Sequence, residues 1–282
     1  MLCKSESPCP VCANTVGNLE LDRRARIPTL QNVALKDQQQ AIQFPTGALK
    51  MIWCAKCSFV WNADFDPDKI VYDEGYNNDV TYSGYYVSHL EAMADRIIAS
   101  VPVDQPIHYV EIGCGEGDFL KLVVERSKGR SLSATGFDPS FANSAKLPAN
   151  ATIHRTFFGE DQLALIPKEA NVICSRHTIE HVPDVQSFVQ ALASPITNAS
   201  RKLFIETPDV NWILEHTAFQ DFFYEHCSIY SPTSIALALR DQGLHAKTTP
   251  VYGGQYMWTE AWRTTNEPTA HMQINSYLAT RY

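Results

Sequence analysis

The pattern of hydrophobic and polar positions changes character about a third of the way along the chain. From residue 107 onward, short apolar runs typical of buried strands alternate with stretches in which apolar residues recur every three to four positions, as in amphipathic helices. The first such pair is IHYVEIG (107–113) followed by DFLKLVVERS (118–127). This alternation predicts an α/β fold with a Rossmann-like, doubly wound sheet that is mostly parallel.

The same alternation continues to residue 261. Further strands are predicted at SATGFD, TIHRTFF, NVICS and KLFIETP, and helices at DVQSFVQALAS and SPTSIALALRDQG. Two apolar runs on either side of Gly253–Gly254 predict a closing pair of strands, one of them antiparallel to the sheet. Before the sheet, 87–101 has apolar residues at helical spacing, and Pro102 is expected to end that helix.

Residues before position 70 follow neither pattern and predict a small, separately stabilised module. They contain two Cys-x-x-Cys pairs on either side of a polar middle stretch. We therefore expect an N-terminal module at 1–70, a tyrosine-rich segment and helix at 71–104, the main domain at 105–262, and a polar tail at 263–282.

Composition narrows the class of protein. The apolar fraction of 45% and the charged fraction of 19% fit a packed globular chain of 282 residues. A net charge of -8 disfavours non-specific binding to nucleic acid or to an anionic membrane. The sequence contains neither a run near the ~18 apolar residues of a membrane span nor the apolar core of a signal peptide. We expect a cytoplasmic protein with reduced thiols, and the sequence makes no prediction of oligomeric state.

The two cysteine pairs of the module predict a structural zinc site. Cys9 and Cys12 form one pair, and Cys54 and Cys57 form the other. Zinc takes four thiolates in a tetrahedron, and each Cys-x-x-Cys turn presents two of them. Redox-active pairs and free thiols are the alternatives, and Cys3 is a possible substitute for one ligand.

A glycine-rich turn, YVEIGCGEGDFL, follows the first strand of the main domain. Its glycines permit positive φ angles and let a ligand lie against the backbone. Glu111 precedes the turn, and Asp138 ends the next strand. A carboxylate at that position can accept hydrogen bonds from the hydroxyls of a ribose. An acid at position 111 suits a cationic amino-acid end and repels a pyrophosphate, which favours S-adenosylmethionine over a nicotinamide cofactor. A turn without a ligand is the remaining alternative.

Two other segments carry residues suited to acid–base chemistry. NVICSRHTIEHVPD places His177 and His181 four residues apart. The segment is an ordinary polar helix start, a loop that contacts the methyl donor and the substrate, or part of a metal site. DFFYEHCSIYS places Glu225 beside His226 among aromatic residues. That pair is either a general base with its carboxylate or a buried polar pair that fixes a loop.

These motifs, in this order, resemble class I S-adenosylmethionine-dependent methyltransferases. EIGCGEG, GFDP, CSRHTIEHV, FIETP, YEHCSIYS and YGGQYMW are most similar to the branch of zinc-containing sugar-nucleotide C-methyltransferases of deoxysugar pathways. That branch reads Tyr-His-Glu-His where this chain has Phe-Tyr-Glu-His at 223–226, and it has a further C-terminal domain that this sequence is expected to lack. The resemblance implies methyl transfer to a small molecule in specialised metabolism, with zinc at the four cysteines.

The resemblance also implies the residues of the site. We expect the cofactor to contact Glu111, Gly113, Cys114, Gly115, Asp138, Pro139, Phe158, Arg176 and His177. We expect His226 to act as the base, supported by Glu225, Tyr224 and His181. The substrate is expected to contact Tyr76, Tyr82, Tyr85, His89 and Gln255, with the tyrosine-rich segment forming either a lid or a surface loop.

The expected reaction is C-methylation of a keto-sugar nucleotide or a similar enolisable substrate. O- or N-methylation of another small metabolite is the alternative reaction. A third alternative is a non-catalytic zinc-containing protein that binds protein or nucleic acid, which the acidic composition disfavours.

Overall fold

The computed structural model describes residues 3–31, 33–70, 83–142 and 147–264, which form two β-sheets and the helices around them. In chain order the strands are β1 Cys3–Ser5, β2 Asn18–Pro28, β3 Thr46–Trp53, β4 Val60–Asn62, β5 Ile107–Ile112, β6 Leu132–Phe137, β7 Ala151–His154, β8 Val172–Arg176, β9 Lys202–Pro208, β10 Ser228–Ile229, β11 His245–Val251 and β12 Tyr256–Trp262. The helices are α1 Gln38–Gln43, α2 Gly84–Ala99, α3 Asp118–Arg126, α4 Val185–Ala193, α5 Val210–Glu215 and α6 Pro232–Asp241.

The larger sheet has seven strands in the order β11-β12-β9-β8-β5-β6-β7. Strands β7, β6, β5, β8 and β9 pair in parallel, and β12 is antiparallel to both β9 and β11. The predicted Rossmann-like sheet with an antiparallel closing strand is therefore confirmed. Its order reverses at β5, so the ligand crevice of such a sheet is expected beyond the carboxyl ends of β5, β6 and β8.

The central strands are apolar on both faces because helices cover both sides of the sheet. Val110 and Ile112 face the cluster that contains α4 and α6, whereas Ile107 and Tyr109, at alternate positions of the same strand, face α2 and α3. Side chains alternate along a strand, so one short apolar run serves two cores. The sheet is thus doubly wound, as predicted.

Local sequence signals explain where several helices begin. The Ser83 side chain accepts a hydrogen bond from the backbone N–H of Tyr86 and caps α2. In α6, Ser231 and Ser234 form a reciprocal capping box, and Pro232 occupies the first turn, where its missing N–H is not needed. The predicted helices at these positions are confirmed, with small shifts of their ends.

The smaller sheet has the order β1-β2-β3-β4-β10, so its last strand comes from the far end of the main domain. Ser228 pairs with Trp61 and Ile229 with Val60, both in antiparallel register. One hydrophobic cluster also joins the cysteine pairs to residues of β5, α4 and α6. The cysteine pairs of the N-terminal module therefore pack into a core that they share with the main domain. In the described part of the chain, no helix has both the length and the hydropathy of a membrane span.

Candidate functional site

A cavity of about 900 Å³ lies at the carboxyl ends of β5, β6 and β8, where the strand order predicts a ligand crevice. The main domain supplies most of its wall, α2 adds Tyr86, and the N-terminal module supplies Phe65, Pro67 and Ile70. The predicted residues in the wall are Glu111, Gly113, Gly115, Asp138, Pro139, Phe158, Arg176, His177 and His181. The strand edge thus gathers nine of the residues that the sequence predicted for the site.

The glycine-rich turn has the backbone that its sequence predicts. Gly113, Gly115 and Gly117 have φ angles of 73°, 54° and 78°, a region that favours glycine. A Cβ atom on Gly113 would lie 1.9 Å from Oγ1 of Thr178, so the turn and the β8 loop approach too closely for any side chain. Above Gly115, by contrast, there is open space within 4 Å, which leaves its backbone accessible to a ligand.

Glu111 is a buried carboxylate in the wall of the cavity. Its side chain is 2% exposed, and its Oε2 atom has no hydrogen-bond partner among the described residues. Burial raises the pKa of Glu111 to about 8, and the nearby positive charge of Arg176 opposes that rise. A buried, unpartnered carboxylate oxygen is costly unless a cation or donor joins it, so Glu111 suits a ligand with a cationic amino group.

Asp138 fixes the other side of the glycine-rich turn. Its Oδ2 atom accepts a hydrogen bond from the backbone N–H of Gly115 at 2.7 Å, and its Oδ1 atom accepts from both the N–H and the hydroxyl of Ser140. The carboxylate is therefore oriented at the end of β6 before any ligand arrives. Each oxygen can accept further hydrogen bonds, as ribose hydroxyls would require.

Arg176 is in the cavity wall, but its charge is already paired. Its Nε donates to Oε2 of Glu206 at 3.1 Å, and the guanidinium lies 4.1 Å from the centre of the Phe119 ring. Burial works against the charge on Arg176, yet Glu206 raises the pKa of the guanidinium further above its ordinary range. Any contact of Arg176 with a ligand is consequently made by a side chain that Glu206 holds in place.

His177 lies between two buried carboxylates. Its Nε2 atom is 3.1 Å from Oε1 of Glu206, and its Nδ1 atom is 3.4 Å from Oε1 of Glu180. Burial alone would lower the pKa of His177, but the two carboxylates raise it to about 10, so the ring is an imidazolium at neutral pH. The residue also has a positive φ of 47°, a strained conformation that these contacts hold in place.

His181 and His226 form a contacting pair, which we call the histidine pair. Their rings are 4.9 Å apart and nearly perpendicular, and His181 is in the cavity wall with His226 behind it. His181 is the last residue of a short 3₁₀ helix, Ile179–His181, that follows β8. Burial lowers the pKa of both rings, and that of His226 lies well below its ordinary value, so both are neutral bases.

Tyr224 and Glu225 anchor the loop that carries His226. The Tyr224 hydroxyl donates to the carbonyl of Asp66 at 3.1 Å and accepts from its N–H at 2.9 Å. Oε2 of Glu225 accepts a hydrogen bond from the N–H of Gln31 at 2.8 Å. Both side chains are fully buried and neither is in the cavity wall, so the structure places them where they hold the loop.

Other predicted residues lie at the edge of the site or outside the described part of the chain. Tyr76 and Tyr82 are outside the described residues, as is most of the predicted lid. Tyr85 is exposed and packs on Tyr252, while Nε2 of His89 is 2.8 Å from Oε1 of Glu206. Cys114 and Gln255 are not in the cavity wall: the Cys114 thiol covers Gly136, and the Gln255 carbonyl accepts a hydrogen bond from Asp209.

The sequence analysis missed two fully buried acids, Glu180 and Glu206. Glu206 joins α2, β8 and β9 through His89, Arg176 and His177. A signal was present in each case, because Glu206 interrupts an apolar strand and Glu180 stands between the two predicted histidines. A charged residue in a buried run indicates a paired or functional charge.

The four cysteines of the two pairs come together as predicted. Sulfur atoms of Cys9 and Cys57 are 3.6 Å apart, as are those of Cys12 and Cys54, and all four lie within 4.8 Å of one another. Four thiolates at 2.3 Å from a tetrahedral zinc ion would be about 3.8 Å apart, so the cluster fits zinc. Cys3 is exposed on β1 and is not part of this cluster.

Comparison with known proteins agrees with the fold. A family model described as "Methyltransferase domain" matches residues 86–248, which is more than half of the chain. The C-methyltransferase NovU from Streptomyces niveus is 25% identical over 179 residues, which cover 61% of this chain and 41% of NovU. The match therefore spans less than half the length of that curated relative.

Two solved structures share the fold at low sequence identity. An O-methyltransferase family protein from Burkholderia thailandensis aligns with a TM-score of 0.50 and 17% identity, over 65% of this chain and 58% of that one. The CurJ carbon methyltransferase aligns with a TM-score of 0.52 and 13% identity, over 72% of this chain and 62% of that one. Both likenesses concern the fold alone.

Proposed function

The chain belongs to the methyltransferase-domain family, and on this premise we propose that it transfers a methyl group from S-adenosylmethionine to a small molecule. The observation that carries the proposal is the unpartnered Oε2 atom of Glu111 in the cavity wall. When bound, S-adenosylmethionine supplies a methyl group on a positively charged sulfur, and this group is open to in-line attack.

The residues of the cavity fit this donor. Glu111 would pair with its ammonium group, and Asp138 would accept hydrogen bonds from its ribose hydroxyls. The backbone at Gly113 and Gly115 would lie against the amino-acid part, while Pro139 and Phe158 offer apolar surface for the adenine. The positive charges of Arg176 and His177 would stay in fixed positions beside the donor, because Glu206 forms an ion pair with each of them.

The histidine pair supports a reaction in which the acceptor loses a proton. We assign the role of general base to His181 and His226, with Tyr224 and Glu225 holding the loop in place. The C–H bond of the acceptor would break, its electron pair would stay on the acceptor as an enolate, and the proton would pass to an imidazole nitrogen. Phe65, Pro67 and Ile70 add apolar surface to the cavity wall, which would help to exclude water from the site.

The finer proposal is C-methylation of a keto-sugar nucleotide or another enolisable carbonyl compound. It is supported by the sequence motifs, by the name of the curated relative, and by neutral bases at the cavity. O- or N-methylation needs a base less, so the buried histidine pair favours carbon. Substrate contacts of Tyr76, Tyr82, Tyr85, His89 and Gln255 remain part of this proposal.

The cysteine cluster is proposed to hold a structural zinc ion. Four thiolates close a tetrahedral site and leave no position for chemistry, so the metal would stabilise the fold. A cytoplasmic enzyme of specialised metabolism is the corresponding cellular proposal, and it rests on the acidic composition and on the resemblance.

A calorimetric titration of the protein with S-adenosylhomocysteine tests the donor assignment. We expect micromolar affinity in the wild type and a loss of at least tenfold in Asp138→Ala, because the carboxylate that would take the ribose is removed. Asp241→Ala, at the exposed end of α6, is the matched control. A folded wild-type protein that fails to bind would contradict the proposal and favour the non-catalytic binding protein.

A further inference from the structure

Glu180 is a buried acid that lies beside the histidine pair. It is fully buried, and one of its oxygens lies within 4.8 Å of a ring nitrogen of both His181 and His226. The hydroxyl of Thr207 donates to its Oε2 atom at 3.0 Å, which fixes the carboxylate from the side of β9. Its Oε1 atom makes no hydrogen bond within the described residues and faces the His177 ring at 3.4 Å.

The neighbouring acid in sequence, Glu225, is committed elsewhere. Its carboxylate accepts from the backbone of Gln31 in the N-terminal module. Adjacency in sequence therefore does not decide which carboxylate serves His226. The three-dimensional cluster of one carboxylate and two imidazoles contains Glu180.

The cluster is better suited to a proton than to a metal ion. A carboxylate with two imidazoles is a known arrangement for divalent metals. Here, however, the imidazolium of His177 already lies 3.4 Å from the same carboxylate, and a divalent cation would be repelled at that short distance. A proton shared between neutral imidazoles adds only one charge, which Glu180 can balance.

We propose that Glu180 is the positioning carboxylate of the histidine pair, holding His181 and His226 in place and stabilising the imidazolium that forms when the pair accepts a proton. In that step the acceptor C–H bond breaks, an N–H bond forms on an imidazole, and the electron pair remains on the acceptor. The proposal rests on the base function proposed above for the pair. Glu180 itself neither touches the acceptor nor takes the proton.

The charges around the pair act in opposite directions. Burial lowers the pKa of both His181 and His226, the positive charge of His177 lowers them further, and Glu180 raises them. On the loop of His226, Cys227 donates its thiol hydrogen to the carbonyl of Glu180, and burial raises the pKa of that thiol to about 12, so it adds no charge. Within the described part of the chain, Glu180 supplies the negative charge that acts on both rings.

The test compares Glu180→Gln with Glu225→Gln, two isosteric changes at fully buried acids. Protein labelled with ¹³C in its histidines is titrated by NMR without substrate, and His181→Gln and His226→Gln assign the signals. We expect the midpoint of His181 to move to lower pH in Glu180→Gln and to stay unchanged in Glu225→Gln. Once an acceptor is known, kcat of Glu180→Gln should fall about tenfold or more, with unchanged affinity for S-adenosylhomocysteine.

The outcomes are distinct. A midpoint that moves in Glu225→Gln and not in Glu180→Gln overturns the proposal, as does a second metal ion per chain that Glu180→Gln removes. If Glu180→Gln does not fold, Glu180→Asp is used instead, because it keeps the negative charge but places it farther from the two rings. A smaller shift of the His181 titration midpoint, in the same direction, is then expected. A wild-type protein without donor affinity would refute the proposed methyl transfer and leave the NMR result on Glu180 readable.

Discussion

At the scale of single residues, Glu111 shows how burial prepares a carboxylate for a cation. With its pKa raised to about 8, it is largely protonated at neutral pH before the donor binds. An ammonium group beside it would favour the ionised form, so binding should release a proton. Affinity for S-adenosylhomocysteine should therefore rise as pH increases toward 8 and level off above it.

We expect an increase of about five- to tenfold in affinity between pH 7 and pH 8.5, measured by calorimetry. Glu111→Gln should bind more weakly, and its affinity should lack this increase, because it has no proton to release. Enthalpies measured in two buffers of different ionisation heat would report the released proton directly. An equal pH dependence in both proteins would contradict this role of Glu111.

The cavity-wall residues that the sequence can bring together by spacing alone are those that lie close in sequence or at the end of the next strand. Gly113, Gly115, Glu111 and Asp138 lie in one strand–turn–helix unit or at the end of the next strand, so spacing alone locates them. Glu180 was missed because its partners come from different elements. The partner of His226 was sought in the adjacent residue, whereas folding brings Glu180, 46 positions upstream, within 4.8 Å of a His226 ring nitrogen.

At the scale of elements, Tyr224 connects the His226 loop to the module segment that lines the cavity. Its ring lies over Gly47 in β3 and packs on Phe65, with ring centres 5.2 Å apart. A Cβ atom on Gly47 would be 2.0 Å from the Tyr224 ring. The close approach requires glycine in the middle of a strand, where glycine otherwise weakens the element.

Gly47→Ala should therefore destabilise the protein by about 2–3 kcal/mol, because a buried ring hydrogen-bonded to Asp66 cannot move aside without strain. Gly84→Ala is the matched control, since a Cβ there meets no atom within 4 Å and α2 favours alanine. Urea unfolding measures both. A neutral Gly47→Ala would show that Tyr224 does not hold the two segments together.

Strands β5, β6, β8 and β9 of the larger sheet were predictable because each is a mainly apolar run that is largely buried on both faces. The strands of the smaller sheet were harder to predict, because most positions of β2 are only partly buried or exposed and its sequence, NLELDRRARIP, is largely polar. Strand β10 has only two residues, and its pairing with β4 is specified by tertiary contacts. Local pattern carries no information about such a partner.

At the scale of the whole molecule, the cysteine cluster is part of the common core. Cys9, Cys54 and Cys57 are buried in the cluster that also contains Ile112 and Leu239. The Ser231 hydroxyl at the start of α6 donates to the carbonyl of Cys57, and the Gln186 amide in α4 donates to that of Pro10. Loss of a metal ion from this cluster should therefore destabilise the main domain as well as the module.

We expect one zinc ion per chain in the wild type and in Cys3→Ser, and none in Cys54→Ser. Cys54→Ser should also lose several kcal/mol of unfolding free energy in a single transition, because structural zinc contributes directly to folding. Metal analysis and thermal unfolding provide the two measurements. Two separate transitions, with the second at the wild-type midpoint, would mean that the module unfolds independently.

The pairing of β4 with β10 has a consequence for the order in which the chain folds during synthesis. The two strands are separated by more than 160 residues, so the edge of β4 stays open until almost the entire main domain has left the ribosome. An open strand edge invites pairing with another chain. A nascent chain that pauses before Ser228 would therefore be prone to aggregate, and the short strand β10 completes the fold by closing that edge.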